Sequence, residues 1–318
     1  MASRHLLNPL ARADEPTPSS LDGVGSELER DLRALGALLI QQAGIMLKVP
    51  QVVMATAQVL FQRFWFVTSL KHFGVRDIGM GALFLASKLE ESPIRMRDLI
   101  NCYAYLVALI QHCSLANVSQ SSNAAASFRS YVPMDYFATE FYDMKDAVVI
   151  AEMQILKRLG FQTQTGLPYG HLVNYLQVLE LTDDSELVHR CWACVNDMLQ
   201  TTAPALFPQS TLAVAAIYLA ARMSSHPLAL PLEPVPWWTL FDAHEADVLQ
   251  ICASLLSLYR DWGADRAWSP TEQASSSVSI LVWKRAADLP LDKQVVRDRI
   301  VAFEPQAGDK SQAIEGNS

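Results

Sequence analysis

Apolar residues recur along this chain at separations of three and four positions, the period of an α-helix, over most of its length. Ser26 and Glu29 have the hydroxyl-then-carboxylate spacing of a capping box, which predicts a helix opening there and running to Lys48. Pro50 stands where a first helical turn tolerates proline, and behind it Val53, Ala57, Leu60 and Phe64 share one face. Ile78, Ala82, Leu85 and Leu89 mark a third helix. Its Gly79 and Gly81 each cost up to about 1 kcal/mol of helix propensity, a loss tolerated where neighbouring helices must come close, so this helix is expected at the centre of a core. Pro93 breaks it, a fourth helix is predicted from Arg95 to Ile110, and a fifth from Phe137 to Leu159, stopped by Gly160. Residues 114–133, rich in Ser, Asn and Ala without periodicity, predict a long mobile loop.

The pattern then repeats. Helices are predicted over His171–Leu181, Glu186–Leu199 and Gln209–Met223, with a short fourth at Pro236–Phe241 and a fifth at Glu245–Tyr259. Leu85-Ala86-Ser87-Lys88 is echoed by Leu219-Ala220-Ala221-Arg222 at an offset of 134 positions, which suggests tandem domains and not a short-repeat solenoid. No segment before residue 262 alternates with a period of two, so the fold class is all-α: two five-helix domains in tandem, at 27–162 and 163–262. Residues 1–26, with Pro16, Pro18, Ser19 and Ser20 among scattered charges, predict a disordered leader. Residues 263–318 carry seven Lys+Arg and eight Asp+Glu around one apolar island, Ile280-Leu281-Val282-Trp283, and predict a mostly flexible tail.

Composition narrows the function. With 318 residues, 51% hydrophobic and 18% charged, the chain can bury two cores. A net charge of −8 argues against a protein whose main task is neutralising nucleic-acid phosphates. Five cysteines, and no charged-then-apolar leader, favour a reducing intracellular setting. The longest apolar runs, such as Leu212–Ala221, are shorter than the roughly 18 residues that span a bilayer, so no membrane association is expected. Cys191 and Cys194 form a C-x-x-C in mid-helix without the second pair or histidines of a zinc site, and read as small core residues. There is no H-x-x-x-H spacing and no glycine-rich phosphate loop, so neither a cofactor, nor a metal, nor a catalytic residue is expected.

Two charges stand out. Lys88 shares a helix face with Gly81, Phe84 and Leu85, and Glu152 lies among Val148, Val149, Ile155, Leu156 and Leu159. Both are either residues snorkelling at helix edges or one polar patch within an apolar binding face, there to hydrogen-bond a partner's backbone. Arg222 is the second domain's counterpart of Lys88, but no acidic residue lies between Val248 and Tyr259 to answer Glu152.

Leu85-Ala86-Ser87-Lys88-Leu89-Glu90-Glu91 and Glu152-x-x-Ile155-Leu156-x-x-Leu159-Gly160-Phe161 together resemble the cyclin box. Leu39-Ile40-Gln41-Gln42-Ala43-Gly44-Ile45, Gln58-Val59-Leu60-Phe61-Gln62-Arg63-Phe64, Arg97-Asp98-Leu99-Ile100-Asn101 and Val173-Asn174-Tyr175-Leu176-Gln177 are similar to L-type cyclins, transcription cyclins within that family. The likeness runs over residues 19–262. It implies two tandem cyclin boxes and a non-enzymatic regulatory subunit that binds and activates a cyclin-dependent kinase. It further implies a partner of the PITSLRE type, action in RNA polymerase II transcription and pre-mRNA splicing, contact with those complexes through the kinase, and a nuclear location. By motif, the kinase-binding residues fall on Lys88, Leu89, Glu152, Leu156 and Phe161. The tail lacks the Arg-Ser dipeptides that animal L-type cyclins often carry, which weighs against direct recruitment to splicing assemblies through it. The rival readings are a helical scaffold that binds without activating, and a TFIIB-like transcription factor with two cyclin folds, against which the net charge counts.

Overall fold

In the computed structural model, residues 10–115, 131–224, 230–262 and 285–303 are described. Helices α1 (Pro18–Leu21), α2 (Ser26–Met46), α3 (Gln51–Val67), α4 (Val75–Leu89), α5 (Met96–Leu115) and α6 (Thr139–Arg158) come first. Then follow α7 (Tyr169–Val178), α8 (Ser185–Met198), α9 (Ala203–Leu206), α10 (Gln209–Met223), a 3-10 turn (Trp237–Phe241), α11 (Glu245–Trp262) and α12 (Lys293–Phe303). Among the described residues there is no strand. No helix among them is long and apolar enough to cross a membrane.

The helices gather into two cores. In the first, α4 packs against each of α2, α3, α5 and α6. Its small residues permit this: a Cβ on Gly81 would stand 2.6 Å from the Cβ of Ala151 and 3.0 Å from the backbone nitrogen of Glu152. The loss of helix propensity at that glycine therefore allows α6 to lie directly against α4. Val53, Ala57, Leu60, Phe64, Ile78, Ala82 and Leu85 are all buried in this core, as their spacing predicts. In the second core α10 takes the same central place, packed against α7, α8, α11 and the 3-10 turn. The echo between Lys88 and Arg222 thus links two central helices, each ending in a cation. The short helix expected at Pro236–Phe241 is the 3-10 turn, with Trp237 and Trp238 buried.

Helix α3 joins the two halves. Ala55 and Val59 pack on Leu199, and the Gln51 amide donates to the hydroxyl of Tyr169 and to Oδ1 of Asn196, each at 3.2 Å. Gln62 donates to the carbonyl of Gln200 at 3.2 Å.

Three expectations are corrected. Ser26 does not cap α2: Gly25 holds the cap position and makes no side-chain hydrogen bond. Glu29 is instead turned inward, accepting from Thr17 Oγ1 at 2.7 Å and from Arg33 Nη1 at 3.2 Å. Arg33 is itself buried and donates to the side chain and carbonyl of Gln62 at 3.0 and 2.9 Å. Burial lowers its pKa to about 10, with the charge and hydrogen bond of Glu29 pulling the other way. A tertiary partner for the carboxylate displaces the local one.

The leader expected at 1–26 is ordered over its described part. Thr17 caps α1, and Ser19 is fully buried, its hydroxyl accepting from the backbone of Leu70 at 3.1 Å. Residues 1–9 lie outside the described residues.

The tail expected to be flexible from 263 packs, over 285–303, on the first core through Ala286, Val296 and Ile300. The apolar island Ile280–Trp283 lies outside the described residues, as does most of the loop expected at 114–133.

Candidate functional site

Helix α6 shows two apolar stripes. Phe141, Met144, Val148, Ala151 and Ile155 are buried at helical spacing and form its inner face. Val149, Met153 and Leu156 form a second stripe, with Ile150 beside it; Val149, Ile150 and Met153 are exposed and Leu156 is half-buried. Sequence reasoning grouped Val148 with Val149. The structure separates them, one inward and one outward. It also adds Ile150 and Met153, the latter 58% exposed, to the set. The available signal was a surplus of apolar residues beyond those that one face of a helix can bury.

Glu152 sits within the outer stripe. Its Oε1 accepts a hydrogen bond from Lys88 Nζ at 2.6 Å, so the structure brings together the two charges singled out from the sequence. The lysine side chain is 46% exposed and the glutamate 16%. Lys88 lies in the last turn of α4, where the helix dipole favours a cation, and its Nζ rests 4.0 Å from the centroid of the Phe84 ring. The close approach at Gly81 fixes the spacing of α4 and α6 and hence the reach of this pair.

Leu89 and Phe161 are both exposed. Phe161 is placed by the closure of α6: its N–H bonds to the carbonyl of Leu156 at 2.8 Å and that of Gly160 to Lys157 at 3.3 Å. Its φ is +61°, a left-handed conformation that a bulky side chain rarely adopts, and its ring is 70% exposed. An aromatic held outward on such a backbone contributes little to its own core. Leu89 and Glu90 open on a groove of about 390 Å³ lined further by residues 163–166 and Gln209. Glu90 is held there by the hydroxyl of Thr56 at 2.7 Å.

The second core repeats the stack without the pair. Arg222 lies 4.6 Å from the ring of Tyr218, at the same separation of four residues as Lys88 and Phe84. Among the described residues no carboxylate forms an ion pair with it, and on α11 its charge acts on the Cys252 thiol, lowering that pKa against the larger effect of burial. Cys191 and Cys194 are fully buried, and burial pushes the Cys191 thiol up to about 12, which keeps it protonated and inert. Among the described residues no group of three or more His, Cys, Asp or Glu is placed to hold a metal ion.

Comparison with known proteins agrees with this arrangement. Residues 10–164 match the cyclin N-terminal domain. The chain is 41% identical over 244 residues to Cyclin-L1 of Danio rerio, covering 76% of this chain and 45% of that one. It is 38% identical over 244 residues to human Cyclin-L2, covering 76% and 43%. It thus spans under half the length of these relatives. Among solved structures, a chain of the yeast RNA polymerase II CTD kinase CTDK-1 complex superposes with a TM-score of 0.57 at 14% identity, covering 91% of this chain and 88% of that one. That likeness concerns the fold. Two helical cores with central helices alike, and a sequence match through the first of them, lead to one conclusion: the chain belongs to the cyclin family and resembles its L type.

Proposed function

We propose that this protein is the regulatory subunit of a cyclin-dependent kinase, with no catalytic activity of its own, and that it engages the kinase through Lys88, Leu89, Glu152, Leu156 and Phe161, extended by Val149, Ile150 and Met153. The observation that carries the reading is the placement of an ion pair inside an exposed apolar stripe. Such a face has the composition of an interface, with apolar and aromatic anchors around a few polar groups that fix register. Nζ and the carboxylate oxygens retain hydrogen-bonding capacity beyond their mutual contact and can serve a partner's backbone. The boxes on this reading are residues 27–162 and 163–262, and the face belongs to the first.

The mechanism is a population shift. The rigid α4–α6 surface would bind the kinase's αC region and favour the state in which its Lys–Glu ion pair is formed and its activation loop open. Moving a kinase from 1:99 to 99:1 takes about 5.5 kcal/mol of differential affinity, within reach of an apolar interface with a few central anchors. Likeness to L-type cyclins supports a PITSLRE-type kinase as partner, a role in RNA polymerase II transcription and pre-mRNA splicing, and a nuclear location.

The test is recovery of bound kinases from nuclear extract on the purified protein, with their activity measured on a polymerase C-terminal-domain peptide. The reading expects one active kinase, lost with Glu152→Lys. A kinase recovered inactive would make the protein a scaffold. Salt-sensitive binding to duplex DNA with no kinase recovered would make it a TFIIB-like factor.

A further inference from the structure

The two boxes carry the same helix pair under two different sequence offsets. Helix α4 maps onto α10 at 134 positions, which sets Lys88 on Arg222, Phe84 on Tyr218 and Gly81 on Ala215. Helix α6 maps onto α11 at 100 positions, and the buried residues agree: Val148, Ala151 and Ile155 on one helix, Val248, Ile251 and Leu255 on the other. The contacts between the helices agree as well. Gly81 meets α6 at Ala151 and the backbone of Glu152, while the carbonyl oxygen of Ala215 lies 3.7 Å from the thiol of Cys252 on α11. Cys252 therefore stands where the first box has Glu152.

The outward stripe is repeated too. Val149, Met153 and Leu156 correspond to Leu249, Ala253 and Leu256, all three exposed, the leucines at 45% and 46%. Intervals of four and three residues are those at which one helix lays a row of side chains against another. Arg222 is exposed in the last turn of α10, its guanidinium 4.6 Å from the Tyr218 ring. The departure that matters is the charge. In the first box Glu152 answers the cation. In the second, Cys252 is buried, and burial pushes its thiol up to about 12, so it offers no anion at neutral pH. Residues 225–229, which follow α10 and lie outside the described residues, contain no acid either.

We infer that the α10–α11 face is a second docking surface, for an amphipathic helix of a protein partner that sets one Asp or Glu among apolar residues at helical spacing, its carboxylate taking the place of Glu152 beside Arg222. An exposed apolar row next to a cation that its own helix pair leaves without an acid complements a segment that is apolar but for one negative charge. A guanidinium can take a carboxylate through two parallel N–H groups, and the Tyr218 ring limits the directions in which this one points. The surface uses none of the residues assigned to the kinase face, and it stands whether or not that face binds a kinase.

The test uses the whole chain. A photo-reactive benzophenone side chain is placed at Ala253, and in a second preparation at the exposed Gln250, and the protein is irradiated in cell extract. Mass spectrometry identifies the captured segment, which is then made as a peptide and titrated. The expected result is one partner segment, captured at either position, with apolar residues three and four apart around an Asp or Glu. Arg222→Glu should weaken binding of that peptide about tenfold or more, and exchanging the peptide's acid for Lys should restore binding to Arg222→Glu while losing the wild type. Capture should also be unchanged in Glu152→Lys, whichever way the kinase assay comes out. Attachment only to residues 263–318 of the same chain, a captured segment without a carboxylate, no capture at either position, or no rescue by the exchanged charges would each overturn the inference. So would loss of capture in Glu152→Lys, which would assign the segment to the kinase complex.

Discussion

Arg285 holds both carboxylate oxygens of Asp31, at 3.0 and 2.8 Å, across 254 positions of sequence. The same guanidinium donates to the carbonyl of Asp261 and lies 5.6 Å from the Trp262 ring, so one side chain ties the tail to the first helix of one box and the last helix of the other. Arg285→Ala should lower stability by about 1–2 kcal/mol: Nη2 serves both oxygens of Asp31 while Nη1 serves the Asp261 carbonyl, which raises it above an ordinary surface pair, and partial exposure holds it down. Urea unfolding gives the loss, and faster proteolysis after residue 262 would show that the tail has been released. Unchanged proteolysis would mean that the apolar packing of Ala286, Val296 and Ile300 and the bond from Arg297 to the Lys71 carbonyl hold the segment without Arg285.

Gly81 offers a sharper test of the core. In Gly81→Ala the new methyl group meets Ala151 Cβ at 2.6 Å, so α4 and α6 must separate. Overpacking of this kind costs about 1–3 kcal/mol. Because Glu152 follows Ala151 directly, the variant should also weaken kinase recovery, and a crystal structure should show a lengthened Lys88–Glu152 contact.

The Lys88–Glu152 pair is itself exposed enough to add little to folding, about 0–1 kcal/mol. Lys88→Glu and Glu152→Lys should therefore melt within a few degrees of the wild type while losing the kinase. The double exchange should recover the intramolecular pair without recovering binding, since the partner would meet the charges reversed. Restored binding in the double exchange would show that the pair matters only to this chain's own structure.

Asp197 in the second box carries a pH dependence. Burial raises its pKa from 3.8 to about 6, against the opposing hydrogen bond that Tyr259 donates at 2.7 Å. A carboxyl with a raised folded-state pKa stabilises fully below its unfolded value, and that contribution is lost as pH rises through about 6. Asp197→Asn, neutral at every pH, should gain on the order of 1–2 kcal/mol over the wild type at pH 7.5 and almost nothing at pH 4. Thermal melts of the two proteins across that range should diverge as pH rises; parallel curves would contradict the assignment.

Where apolar period and burial coincide, the sequence was a sufficient guide: α10 runs over Gln209–Met223, as predicted, because nearly every residue in it faces a neighbour. Long-range partners are what sequence spacing conceals. Ser26 and Glu29 look like a local cap, but Thr17, from the segment before the helix, takes the carboxylate together with Arg33 one turn on. Helix α12 buries only a few apolar residues between charged ones, too thin a stripe to announce itself. Helical spacing singled out Lys88 and Glu152, which the structure places in contact, yet the outward stripe of Val149, Ile150 and Met153 became visible only once the inner face of α6 was known.

The stack of Lys88 on Phe84 and its bond to Glu152 have a consequence for the kinetics of assembly. A free lysine side chain holds about 2 kcal/mol of rotamer entropy. Here part of that freedom is surrendered when the chain folds, to Phe84 and Glu152. On the proposed reading, an incoming kinase would meet an ammonium already oriented within the face. Preorganisation of this kind lowers the entropic cost of association and should appear chiefly as slower dissociation.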